Sequence, residues 1–447
     1  MKAEHIYNKA ERVRDVLRYI SRFKNSIIVI HIDDALLESP FYSSHIRDIA
    51  YLHESGLKVI IVPGAKNHID LMLKNSGIDW EEKDGIRITS EKEMSVIKMA
   101  AFDISNKIMT SLAEEHLTAV IGNWVKARGK GVINGVDFKT AGEIDKINIQ
   151  ALSSVLEEGF IPIFPCIGWS ANGKPYNISS INLAAQVATE LKAEKLFFLT
   201  SGKEISNIDF FIPENISIAP DGFVPAFNLE ELESFFELNE NLANFSTEKK
   251  QIIKLLKIGK VACNLGVSRT HIVNGLFDGT LPCEIFSDLG SGTMIYKSNY
   301  GGIRSMEKED IPAVLNLIRP FVEQGILLPR TEESLLENYK DYIVYELDGG
   351  IKACAALHYY EESQGEIAAV AVDNVCSHMG IGPKLINYLL DKAKDNNLVS
   401  VFILTTQTSD WFEKLGFSLS SVESLPEKRK EKWSKERGSK VLRIDLH

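Results

Sequence analysis

Short, wholly apolar runs separated by helical patterns set the tightest limit on the fold of this chain. They are IIVIHI (27–32), VIIV (59–62), AVI (119–121), IPIF (161–164) and LFFL (196–199). A strand without polar alternation has both faces buried. Strands of that kind alternating with helices form a mostly parallel sheet with helices on both sides. Several runs end at small residues, Pro63-Gly64, Gly122-Asn123, Gly168 and Ser201-Gly202. Ligands in such sheets bind at the carboxyl ends of the strands. The pattern predicts one large α/β domain over 25–295. Ahead of it, Ile6, Ala10, Val13, Leu17 and Ile20 have helical spacing and predict an amphipathic helix within 1–24. That stripe needs cover, by default from its own domain, otherwise from another subunit.

A polar stretch with two glycines (296–302, YKSNYGG) predicts a linker, and Asp310-Ile311-Pro312 opens a helix beyond it. Residues 303–447 suffice for a second domain. Charge then narrows the function. Fifty Lys and Arg against 61 Asp and Glu give a net charge of -11, which argues against a nucleic-acid-binding chain. No apolar run approaches the ~20 residues that cross a bilayer, and the first residues are too polar for a signal peptide. Cys166, Cys263, Cys283, Cys354 and Cys376 lack CxxC spacing. They read as buried thiols in a reducing cytosol, not as disulfides or a zinc site. A soluble cytoplasmic enzyme without a metal is expected.

The most informative stretch is GEIAAVAVDNVCSHMGIGPKLINYLLDK (365–392). It reads as a strand, a turn containing Gly380-Ile381-Gly382, and a helix with Leu385, Ile386, Leu389, Leu390 and Ala393 on one face. Glycines there let backbone N–H groups approach a phosphate, although a tight turn alone has the same signature. A further strand, VFIL (401–404), and the element WFEKLGF (411–417) follow. With these pieces the region resembles the GNAT acetyltransferases, which implies an α/β GNAT domain with acetyl-CoA as co-substrate. The resemblance places acetyl-CoA against Val370, Ala371 and Val372, and against Ser377, His378, Met379, Gly380, Ile381 and Gly382. Ser377 stands where the family carries Gln or Arg.

Five segments in order, 316–327, 354–357, 365–372, 404–412 and 437–442, resemble the N-acetylglutamate synthases of the bacterial arginine pathway. This implies acetylation of L-glutamate, the first step of arginine biosynthesis. Two carboxylates call for fixed guanidinium forks. Arg319 and Arg437, with Ser439, match the glutamate-binding positions; the alternative for Arg319 is a helix-surface ion pair of little worth. An α-amine must lose a proton before it attacks. Glu366, at the start of the central strand, is the candidate base through a water, or else a solvated strand-end carboxylate. Backbone N–H groups at Val370–Val372 suit a developing oxyanion. Trp411-Phe412 offers no hydroxyl to the leaving thiolate, so Thr405 is the candidate hydrogen-bond donor to the sulfur. The mixed-charge run 427–440 reads as a solvated helix leading to Arg437.

The first domain carries LKVIIVPGA (57–65), GIRIT (85–89), YNISSINLAA (176–185) and the long segment 266–295. These resemble the amino-acid kinase fold, in particular acetylglutamate kinases. Active members have Lys and Gly-Gly after the first strand, and an acidic residue where this chain has Ile181. Here His31 and Asp33-Asp34 stand instead. Phosphoryl transfer needs cations around the phosphates, so the kinase chemistry is expected to be lost. His271, Glu284, Gly290 and Gly292 match positions that bind L-arginine in arginine-inhibited members, with Glu284 as carboxylate partner for a guanidinium. The resemblance further implies a homo-oligomer, a hexamer joined through the N-terminal helix. The reading is an arginine-regulated amino-acid N-acetyltransferase; the alternatives are a non-catalytic arginine-sensing protein and an acetylglutamate kinase.

Overall fold

A computed structural model of the chain describes residues 13, 14, 16, 17, 19–202, 204–214, 216–219, 221–239, 245–286, 290–297, 301–347, 350–373, 376 and 380–446. It divides into two compact units, Met1–Lys297 and Ser298–His447. Among the described residues no helix is long and apolar enough to cross a membrane.

The first unit is built on an eight-stranded sheet. Its strands are β1 (Ile27–Ile32), β2 (Lys58–Pro63), β3 (Ala119–Ile121), β4 (Ile161–Ile163), β5 (Lys195–Thr200), β6 (Ala226–Asn228), β7 (Arg269–Asn274) and β8 (Thr293–Tyr296), in the order β6-β8-β7-β5-β1-β2-β4-β3. Every pairing is parallel except β7 with β8. Alternation along the strands explains the apolar runs. Ile28, Ile30 and Ile32 enter one core layer with Ile61 and Phe197, whereas Val29 enters the opposite layer with Ile60 and Phe198. A smaller four-stranded sheet, 125–129, 142–147, 167–169 and 175–177, is appended to the unit. The N-terminal stripe meets its default expectation only in part. Its residues before 13 lie outside the described ones; Val13 and Leu17 are 58% and 59% exposed, whereas Ile20 is half-buried. The helix seats Tyr19 and Phe23 over the buried Lys195 ammonium, 5.1 and 5.4 Å from the ring centres.

The second unit is a seven-stranded sheet of β9 (Gly301–Ser305), β10 (Tyr342–Leu347), β11 (Gly350–Tyr360), β12 (Gln364–Val372), β13 (Ser400–Thr405), β14 (Ser418–Ser420) and β15 (Lys440–Asp445). The order is β9-β10-β11-β12-β13-β15-β14, and only β12 with β13 is parallel. Helix Ile381–Asp395 covers one face with Leu385, Ile386 and Leu389, and helix Ile311–Glu323 covers the other with Ile311, Val314 and Ile318. As expected, Pro312 lies in the first turn of the latter helix. The expected helix over 427–440 is shorter than its charge pattern suggested, ending at Lys430. Replacing Leu389, fully buried, by Ala is expected to cost about 2–5 kcal/mol in denaturant titration. Replacing Leu419, 66% exposed, is expected to change stability by less than about 0.5 kcal/mol.

Candidate functional site

Two irregularities in β12 create the opening in the second unit. First, the register with β11 shifts between Cys354 and Ala356, so that β12 carries one extra residue. Ala369 absorbs it with φ +51°, a left-handed conformation that costs a non-glycine residue about 1–2 kcal/mol. The buried Cys354 thiol, pushed up to about 12 by burial and so kept protonated, donates to the Ala369 carbonyl at 3.5 Å. Parity reverses across this bulge. Ile367 faces the 381–395 helix, while Ala369 and Ala371 face the 311–323 helix. Second, β12 and β13 pair only at Gln364–Ser400, Gly365–Val401 and Glu366–Phe402. Beyond that point each stays bound to its outer neighbour, β11 or β15, and the two part.

The cleft between them exposes strand-edge N–H and C=O groups of the kind that pair with an extended amide chain. Val370, Ala371 and Val372 line its β12 side. At its end the 15-residue helix Ile381–Asp395 begins at Gly380, whose φ is +62°, with no side chain capping the first turn. Those N–H groups and the helix dipole favour an anion. A Cβ on Gly382 would come within 3.0 Å of the Trp411 ring, so glycine lets the first turn of this helix pass under the indole without displacing it. Ser377, His378 and Met379 lie outside the described residues.

On the 311–323 side of the sheet sits a buried polar cluster centred on Glu366. Tyr360 donates its hydroxyl to Glu366 Oε2 at 3.0 Å, and Arg429 donates Nε to the same oxygen at 2.8 Å. The side chains of Glu366 and Arg429 are 7% and 14% exposed. Glu366 is therefore not a solvated strand-end carboxylate. Leaving one partner of such a pair unmatched costs about 3–5 kcal/mol. Tyr360 is held well above its ordinary pKa by burial and by the Glu366 charge, so its proton stays in place. Arg429 and Tyr360 were missed from sequence. The run around Arg429 is mixed in sign and resembles any solvated face, and Tyr360 ends a strand with no motif around it.

Arg437 donates Nη2 to the Ile326 carbonyl at 2.9 Å, in the turn that follows the helix of Arg319. The two residues thus belong to the same end of the unit. Arg319 is exposed and donates to Asn316 Oδ1 at 2.7 Å. Ser439 is buried, two residues beyond Arg437. Thr405, at the end of β13, accepts from the Thr408 N–H at 3.1 Å and shares a 2.8 Å hydroxyl contact with Thr408. Its proton is available outward only when Thr408 is the donor.

In the first unit, the residues at the end of β1 and just after it bond to donors on neighbouring elements. The buried Asp34 carboxylate accepts from the His68 N–H at 2.8 Å and from Asn67 Nδ2 at 3.2 Å, at the start of helix Lys66–Asn75. That helix has no side-chain cap of its own. Asp33 receives the Ser201 hydroxyl at 3.0 Å, and His31 contacts the Ser180 hydroxyl at 3.0 Å. Across the sheet, the sequence-predicted quartet comes together. His271 Nδ1 lies 2.5 Å from Glu284 Oε1, and its ring stacks on Phe197 at 4.6 Å. Glu284 Oε2 accepts from the N–H groups of Ser291 and Gly292 at 2.5 and 2.8 Å. Gly290 has φ +64°, and a Cβ there would collide with the Glu284 carboxylate. Burial pushes His271 down to about 4. Glu284 is opposed by burial, yet its bonds from His271 and the two N–H groups hold it below its ordinary value. Neutral imidazole facing carboxylate is the resulting state. Among the described residues no group of three or more His, Cys, Asp or Glu is placed to hold a metal.

Comparison with known proteins agrees with this geometry. Residues 26–253 match the amino acid kinase family and residues 311–417 the GNAT acetyltransferase family. An amino-acid acetyltransferase from Shewanella oneidensis is 33% identical over 438 residues, 96% of this chain and 95% of that protein. One from Neisseria meningitidis serogroup A is 33% identical over 444 residues, 97% of each. The crystal structure of N-acetylglutamate synthase from Neisseria gonorrhoeae complexed with coenzyme A and L-arginine has a TM-score of 0.79 at 31% identity, covering 98% of this chain and 99% of that one. The same enzyme complexed with coenzyme A and N-acetyl-glutamate gives 0.60 at 32% identity, with the same coverage.

The His271–Glu284 pair carries a pH signature. The unfolded chain protonates this imidazole near 6.5 and the folded chain only near 4, so stability should fall as pH is lowered through that interval. Glu284, lowered in the folded state, adds a further loss below its ordinary value near 4.5. In His271→Gln, the fall in unfolding free energy between pH 6.5 and 4 should be shallower by up to about 3 kcal/mol. Urea titrations at a series of pH values read this directly.

Proposed function

Because this chain belongs to the amino-acid acetyltransferases, an amino acid kinase region followed by a GNAT region, we propose that it transfers the acetyl group of acetyl-CoA to the α-amine of L-glutamate under the control of L-arginine. The observation that carries the reading is the parting of β12 and β13 beside the Ala369 bulge, with a buried carboxylate and several guanidinium groups around it. The pantetheine chain pairs with the opened strand edges, and the pyrophosphate rests at the Gly380–Gly382 turn. The thioester carbonyl meets the N–H groups of Val370–Val372. Arg319, Arg437 and Ser439 hold glutamate. Glu366 Oε1 accepts from no other described residue, so it orients the water that takes the ammonium proton. The neutral amine then forms the C–N bond and negative charge gathers on the carbonyl oxygen; the nitrogen gives up its second proton through the same water to solvent, and the C–S bond breaks to leave the amide and the thiolate. The thiolate, of pKa ~8.5, takes its hydrogen bond from Thr405.

The first unit is proposed to sense L-arginine at His271, Glu284, Gly290 and Gly292. Glu284 Oε1 keeps a lone pair beside His271 for a guanidinium, and the 290–292 turn adjusts around it. Val13 and Leu17 leave apolar surface that a neighbouring subunit of a homo-oligomer, a hexamer in this reading, would cover. All five cysteines are thiols, which suits the cytosol; four are buried as expected, whereas Cys283 is exposed. Nucleotide chemistry is disfavoured by Asp34, whose carboxylate would repel a phosphate brought to the start of helix Lys66–Asn75.

Free-thiol release from acetyl-CoA with each amino acid in turn is expected to show a strong preference for glutamate. Arg437→Ala should lower kcat/KM for glutamate about 10- to 100-fold. Gly382→Val, which drives a side chain into Trp411, should raise KM for acetyl-CoA with little change in KM for glutamate. Saturating arginine should bind and change the rate. Absence of thiol release with every amine would leave the non-catalytic sensor as the surviving alternative.

A further inference from the structure

Arg429 belongs to none of the positions assigned above, yet it is the best-anchored cation in the second unit's polar cluster. The neighbouring lysines spend their charges on exposed carboxylates, Lys428 on Glu361 and Lys430 on Glu427, with Glu361 and Glu427 68% and 81% exposed. Arg429 instead turns inward and donates Nε to Glu366. Tyr360 holds the same oxygen, so the carboxylate cannot rotate away. Neither Nη of Arg429 bonds to another described residue. A planar guanidinium fixed at its Nε side presents its other edge in a set direction.

From this arrangement we infer that Arg429 is a specificity-determining residue that holds the side-chain carboxylate of the amino-acid substrate. The inference rests on the glutamate reaction proposed above. Electrostatics requires something of this kind. Glutamate ready to attack has a neutral amine and is a dianion. An unaccompanied Glu366 would repel both of its carboxylates, whereas the Glu366–Arg429 pair is neutral overall and still offers a donor edge. Position decides which carboxylate is held. Glu366 precedes the Ala369 bulge by three residues, about 10 Å along the strand. The α-carboxylate shares a carbon with the attacking amine and must stay near the acyl group. The side-chain carboxylate is the one that extends back toward Arg429.

The test compares wild type, Arg429→Met, Arg429→Lys and the double variant Glu366→Gln/Arg429→Met, with glutamate and with glutamine, which has the same shape but an uncharged side chain. Calorimetric titration of the enzyme–CoA complex measures binding independently of turnover, and thiol release gives KM and kcat. Arg429→Met should weaken glutamate binding about 10- to 100-fold, leave KM for acetyl-CoA unchanged, and abolish the preference for glutamate over glutamine. Arg429→Lys should fall between. The double variant buries no unpaired charge, so it guards against misfolding and should also lose the preference. Equal weakening for both amino acids, or a preference retained in the double variant, overturns the inference. A wild-type enzyme that binds neither and releases no thiol with glutamate defeats the underlying reaction instead.

Discussion

One extra residue in β12 sets the geometry on which the second unit depends. Without it, side chains would alternate unbroken along the strand and the N–H groups would run in step with β11. With it, Ala369 adopts φ +51° and the sides exchange. Residues 366 and 368 then share a side with 369 and 371. The Glu366 cluster therefore lies on the 311–323 side of the same strand whose backbone lines the cleft. The conformational cost at Ala369 is offset by packing on both faces and by the Cys354 thiol on its carbonyl.

Buried carboxylates recur as organising centres, and each is answered differently. Glu366 meets a full cation and a phenol, so its charge is cancelled. Glu284 meets a neutral imidazole and two backbone N–H groups, so its charge is solvated but not cancelled. A site of the second kind retains an attraction for an incoming cation, and one of the first kind does not. The contrast supports the guanidinium effector proposed for the first unit and the acidic substrate proposed for the second.

The apolar runs marked five strands of the first sheet, four of them because they are buried on both faces and the fifth, Ala119–Ile121, as a half-buried edge. They missed β7 because Arg269 and His271 interrupt it, and in the fold both are buried with partners. The glycine turn and the strand before it were legible from their pattern, whereas the 271/284/290/292 quartet came only from resemblance to arginine-inhibited families. Arg429 was not, since burial of one arginine within a charged run depends on a carboxylate 63 positions away. Nor was the parting of β12 from β13, which is a matter of register and leaves no compositional trace. The helix expected across 427–440 shows the same limit: charge pattern alone does not say where a helix stops.

Asp34 has a consequence for what else the start of this helix can hold. A carboxylate tethered to the chain faces the Lys66–Asn75 helix at an effective concentration that free solutes do not approach. The first N–H groups of that helix are thus already answered from within the chain, and an anion in solution would have to displace a carboxylate that cannot diffuse away.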